Sequence, residues 1–133
     1  VGDVALSNRE KIMRLEAGIL ELPQVECETF HYFAPGIYCR EIRIPAGMVL
    51  TGKIHRTEHI NIISQGVIAV LTEEGRKLIE APLTFVAPAG TKRAGFALKD
   101  TVWTTVHSTN ETDLEKLERE LIVPSFELLE RQE

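Results

Sequence analysis

In the stretch GMVLTGKIHRTEHINIISQG, residues 47–66, a lysine, two histidines and a glutamate fall within seven positions. Three chemistries could use them. Gly47, Gly52 and Lys53 approximate a phosphate-binding P-loop, but such a loop needs Ser or Thr after the lysine to hold magnesium, and a helix behind it. Ile54 follows Lys53 instead. His55, Glu58 and His59 spell the H-x-x-E-H of an inverted zinc peptidase, which requires both histidines on one helical face. Gly52 and Gly66 bracket the stretch, and the β-branched Ile54, Ile60, Ile62 and Ile63 are poor helix formers. The third reading is a strand and turn of a small barrel, with polar side chains pointing inward.

Other candidates lie downstream and upstream. Val102-Trp103-Thr104-Thr105-Val106-His107 puts Trp103, Thr105 and His107 on one parity of a strand. That face could be a pocket wall, with Trp103 stacking on a ring, Thr105 donating a hydrogen bond and His107 contacting an anion. It could equally be an outer face under a helix. Arg40, Glu41 and Arg43 alternate around Ile42 and Ile44, so one of these charges could face inward. His31 reads as a structural or surface histidine, and Tyr38 and Phe96 as core or pocket-lining aromatics. Cys27 and Cys39 lack metal-ligand spacing and read as free thiols. No Ser or Cys sits in an activating context, so no nucleophile is assigned.

The elements that must position these residues follow from periodicity and punctuation. Ser7-Asn8-Arg9-Glu10 is a capping box, followed by Ile12, Leu15, Ile19 and Leu22 at helical spacing, which predicts a helix over about 7–22 ended by Pro23. Runs rich in β-branched and aromatic residues follow: 26–33, 37–44, 48–55, 60–63, 67–72, 76–80, 83–87, 93–97 and 101–107. Pro35-Gly36, Pro45-Ala46-Gly47, Gln65-Gly66, Glu74-Gly75, Pro88-Ala89-Gly90 and Lys99-Asp100 mark the turns. Many short strands at regular spacing predict a sandwich or barrel. Thr112-Asp113-Leu114-Glu115 reads as a second capping box opening a helix to about 122, with Leu114, Leu117 and Leu121 as its stripe and Pro124 as its stop. Phe126, Leu128 and Leu129 read as a short docked tail. The 133 residues make one domain.

Composition narrows the function. Net charge is −5, against generic nucleic-acid binding. The charge is uneven: residues 40–107 carry nine Lys/Arg against six Asp/Glu, whereas residues 108–133 carry three against eight. No apolar run approaches the ~20 residues of a membrane helix. The first residues lack a basic stretch followed by an apolar one, so a cytoplasmic location is expected.

The spacings within 47–66 resemble those of the cupin superfamily, whose first motif has the form G(X)5HXH(X)3-4E(X)6G. Gly47, Lys53-Ile54-His55, His59 and Gly66 reproduce its spacing. Pro88-Ala89-Gly90 falls where the PXG of the second motif belongs, with Arg93 at its histidine position. The resemblance spans about residues 26–107. It implies an all-β fold: a single jelly-roll barrel, or double-stranded β-helix, with an N-terminal and a C-terminal α-helix. It also implies a homo-oligomer, for which the leucine stripe would be a candidate surface; packing of that stripe on the barrel is the alternative.

A typical cupin metal site is three His and one Glu. The four corresponding positions here are Lys53, His55, His59 and Arg93, and Lys and Arg are protonated and repel a cation. His55 and His59 could hold a divalent transition metal if another residue joined, His107 being the best spare ligand. The expectation that leads is instead an anionic small molecule (phosphate-, carboxylate- or nucleotide-like) held without a cofactor by Lys53, His55, His59 and Arg93, with Trp103 and His107 on the wall. Small cupins of this kind occur in bacteria and their phages, where sequestering or sensing such a molecule would be their task. A metal-dependent isomerase, oxygenase or lyase, and a metal-free sugar-nucleotide epimerase, are the alternatives.

Overall fold

The structure, a computed structural model, describes residues 7–22 and 26–123. Helix α1 (Asn8–Leu20) is followed by strands β1 (Glu28–Ala34), β2 (Ile37–Ile44), β3 (Val49–Thr51), β4 (Ile54–His55), β5 (His59–Gln65), β6 (Val67–Thr72), β7 (Gly75–Glu80), β8 (Leu83–Ala87), β9 (Ala94–Ala97) and β10 (Thr101–Ser108). Helix α2 (Leu114–Leu121) and strand β11 (Ile122–Val123) complete it. A five-stranded antiparallel sheet in the order β1-β2-β10-β5-β8 faces a four-stranded one in the order β3-β9-β6-β7. Ile44 and Ile63 from the first sheet meet Ile68, Val70, Ile79 and Ala97 from the second in one buried cluster. That cluster fills only one end of the space between the sheets. The other end carries the polar site.

Helix α1 has the capping box the sequence predicts: Ser7 Oγ accepts from the Glu10 amide, and the Glu10 carboxylate accepts from the Ser7 amide. Of its stripe only Ile12 is fully buried, at 0 % exposed, while Leu22 is 63 % exposed. The helix lies against β3, β6 and β9, and Glu16 anchors it by accepting from Thr51 Oγ1 at 2.6 Å and from buried Lys92. Pro23 and the expected tail at Pro124, Phe126, Leu128 and Leu129 lie outside the described residues.

Two expectations need correction. The run 48–55 is not one strand: it breaks at Gly52-Lys53 into β3, which pairs with β9, and β4, which pairs with β11. The second helix is capped by Asp113 rather than Thr112; its carboxylate accepts from the amides of Glu115 and Lys116. Asp is at least as good an N-cap as Thr, and it stands nearer the apolar stripe.

Gly66, the last glycine of the motif, joins β5 to β6 with φ +102°. A Cβ there would sit 2.4 Å from the Asp100 carbonyl oxygen and 2.6 Å from Thr101 Cα, a clash with backbone as well as a left-handed strain. Gly75→Ala meets only the conformational cost, since φ is +121° with nothing within 4 Å. Urea unfolding should therefore show Gly66→Ala costing about 3 kcal/mol or more and Gly75→Ala about 1 kcal/mol. Equal costs would mean that the backbone at Asp100 yields freely.

Candidate metal centre and its pocket

Inner-facing residues of the five-stranded sheet lie in cross-strand rows, because register and the period of two fix which side chains become neighbours. His107 is opposite Tyr38 on β2, and Val106 opposite Ile60 brings His107 beside His59. His55 joins them from β4. That two-residue strand is held by pairing with β11, Ile122 opposite His55, and by the Arg56 amide donating to the Leu121 carbonyl at 2.7 Å. Helix α2 therefore fastens one of the three histidines in place. Its Leu117 and Leu121 are buried against Tyr38 within the chain, while Leu114 stays exposed.

The ligand atoms of His55, His59 and His107 all lie within 4.8 Å of one another. The rings stack, with centroids 4.2 Å apart for His55–His59 and 4.9 Å for each pair with His107. His55 Nδ1, His59 Nε2 and His107 Nδ1 are buried and have no hydrogen-bond partner among the described residues. An orphaned buried polar atom costs about 1–3 kcal/mol, and three converging ring nitrogens multiply that cost. The His59 tautomer is fixed: Nδ1–H donates to the Thr57 carbonyl at 3.0 Å, leaving the Nε2 lone pair facing its neighbours.

Burial, reinforced by His59, His107, Arg93 and Arg40, pushes the His55 pKa down to about 3. Burial, with His59 and Arg40, takes His107 down to about 4. His59 is lowered by burial, against the opposing effect of its Thr57 hydrogen bond. The three imidazoles are neutral at pH 7, the state in which histidine binds metal.

The centre opens into a cavity of about 1430 Å³. Trp103 and Thr105 line its wall, so their face is the pocket face and not an outer one. Arg40, Ile42 and Ile44 share the inward parity of β2, so Arg40 is the charge of its run that turns in, whereas Arg43 pairs with Glu41 and Glu28 on the other face. Arg93 reaches over Phe85 and Trp103, 5.4 and 5.8 Å from their ring centres.

Lys53 lines the same cavity, near its mouth. The break at Gly52 disrupts the alternation, and the Lys53 side chain is 59 % exposed and paired with Glu118 of α2. His31 is exposed and hydrogen-bonded at 2.7 Å to the Tyr38 hydroxyl. Glu58 is exposed, and both cysteines are free. With His55 and His59 on two strands separated by a turn, the helical peptidase arrangement is absent.

No family model matches the sequence, and no curated protein does either. Solved structures do. KdgF from Halomonas sp. is 22% identical with a TM-score of 0.56, over 69% of this chain and 88% of that one. A cupin-2 domain containing protein from Shewanella frigidimarina is 10% identical with a TM-score of 0.52, over 70% and 91% of the two chains. The barrel is a cupin fold. Salicylate 1,2-dioxygenase from Pseudoaminobacter salicylatoxidans, 12% identical with a TM-score of 0.59, aligns with 88% of this cupin barrel's chain over 36% of its own. No helix among the described residues is long and apolar enough to cross a membrane.

One contributor to the cupin site had no sequence signal assigned to it. Asn61 shares the parity of His59 and Ile63 on β5, is 1 % exposed, and accepts from Trp103 Nε1 at 2.8 Å. Alternation counted from His59 is the signal that would have found it.

Proposed function

We propose that this cupin barrel is a metal-dependent protein that receives a small organic anion at a three-histidine centre. The observation that carries this reading is the convergence of three neutral imidazoles, each with an unpartnered buried nitrogen. All-imidazole sites suit zinc, copper, iron or nickel. A divalent ion bound there would supply Lewis acidity toward a ligand oxygen. The chain's own residues do the rest: Thr57 fixes the His59 tautomer, α2 with β11 holds His55, and Arg40 and Arg93 raise the potential of the cavity. The three ligands are neutral, so they leave the charge of a divalent cation uncompensated and favour an anion as further ligand. The fold shared with a salicylate 1,2-dioxygenase agrees with a small carboxylate as substrate or ligand.

The second reading is an anion pocket without metal, a binding or sensing protein. It draws on Arg40 and Arg93, which have no carboxylate within ion-pair distance among the described residues. Elemental analysis of protein loaded with zinc, iron, cobalt or nickel and then desalted separates the two. The metal reading expects one ion per chain. Less than about a tenth of that for all four ions, with salicylate binding retained in chelator, would establish the metal-free reading.

A further inference from the structure

Beside the histidine row runs a second inward row, two residues along each strand and so about 6.8 Å away. Asn61 on β5 is opposite Thr105 on β10, and Thr105 is opposite Arg40 on β2. Asn61 Nδ2 and Thr105 Oγ1 are both buried without a partner among the described residues. The Asn61 amide cannot turn to hide its donor, because its oxygen already accepts from Trp103. Arg93, in the loop just before β9, approaches the same wall, its guanidinium over Phe85, the cross-strand neighbour of Asn61, and over Trp103. The row therefore gathers an amide donor, a hydroxyl and two guanidiniums, and no acidic side chain is paired with either arginine among the described residues.

We infer that this row is a subsite for a second acidic group, so that the preferred ligand is a small dicarboxylate with one acid at the histidine centre and the other among Asn61, Thr105, Arg40 and Arg93. The row spacing suits a chain of about four or five carbons. Guanidinium forks match a carboxylate with two parallel hydrogen bonds, and the flanking indole and phenyl faces keep Arg93 extended toward it. The inference rests on the metal reading for the first acid only.

The test is calorimetric titration of zinc-loaded protein with succinate and with succinamate, which has the same shape but lacks the second charge. Succinate should bind at least about tenfold more tightly. That preference should shrink to within about threefold in Arg93→Met and in Arg40→Met. One zinc per chain in each variant would show that the barrel is intact. Equal affinities for the two ligands in zinc-loaded wild type would overturn the subsite and leave the metal centre standing. Preference retained in both arginine variants would overturn the arginine assignment. Failure of the wild type to hold zinc would overturn the placement of the first acid together with the metal reading.

Discussion

Replacing His107 with alanine should reduce bound divalent metal from one ion per chain to a small fraction, with affinity falling at least about 100-fold. Perturbing an outer hydrogen bond to a ligand typically costs 10–100-fold, and removing one of three ligands should cost at least as much. The same loss is expected for His59→Ala, whose Nε2 is the most firmly aimed of the three nitrogens. Lys53→Ala is the control: that side chain is exposed and paired with Glu118 at the mouth, so metal content should not change. Thermal unfolding gives an independent readout. Metal at 100 times the wild-type dissociation constant should stabilise wild type by about 2.7 kcal/mol and His107→Ala by about 0.4 kcal/mol or less. A His107→Ala protein that still carries one ion per chain would place the ion elsewhere.

Acid should destabilise the metal-free protein well before ordinary carboxylates titrate. The folded-state pKa values of His55 and His107 lie at about 3 and about 4, below the usual 6.5. Between those values and 6.5 the unfolded chain binds more protons than the folded one, so stability rises with pH across that window. It is fully present above pH ~6.5 and is lost as pH falls toward 4. One pKa unit corresponds to 1.36 kcal/mol, and part of each shift is the mutual repulsion of the same rings. The combined loss from pH 7 to 4 should therefore be on the order of 3–5 kcal/mol and not the sum of two independent sites. Urea unfolding at several pH values measures it. Bound metal competes with protons for the same nitrogens, so the drop should steepen in metal-loaded protein as the ion is released. Stability that stays flat from pH 7 to 4.5 would mean that the rings are solvated rather than buried.

The barrel was legible because its signals are local. Gly36, Gly47, Gly66, Gly75 and Gly90 all have positive φ at turns read from the sequence, and the strands β2, β6 and β8 begin and end where the β-branched runs between those turns placed them. The spacing of Gly47, His55, His59 and Gly66 carried the resemblance to the cupins, and the fold agrees with it. The site was less legible because it depends on where alternation fails. Lys53 has the right parity relative to His55, but a two-residue break at Gly52-Lys53 takes it to the mouth. His107 is 48 positions from His59, and only the β5–β10 register makes them neighbours. Helix α2 showed its leucine stripe, yet nothing in 114–121 says that its end, continued as β11, fastens the strand bearing His55. Charge type alone favoured an anion over a metal, because it counted Lys53 and Arg93 as occupants of ligand positions. In the structure Lys53 lines the cavity but is exposed and paired with Glu118, and His107 joins His55 and His59 as the third imidazole.

His55, His59 and His107 together are expected to bind one metal ion. Anomalous diffraction from crystals grown with cobalt tests it most directly. The expected result is a single strong peak at bonding distance from one ring nitrogen of each of the three histidines. A peak elsewhere on the chain, or none at this cluster in cobalt-saturated crystals, would contradict it.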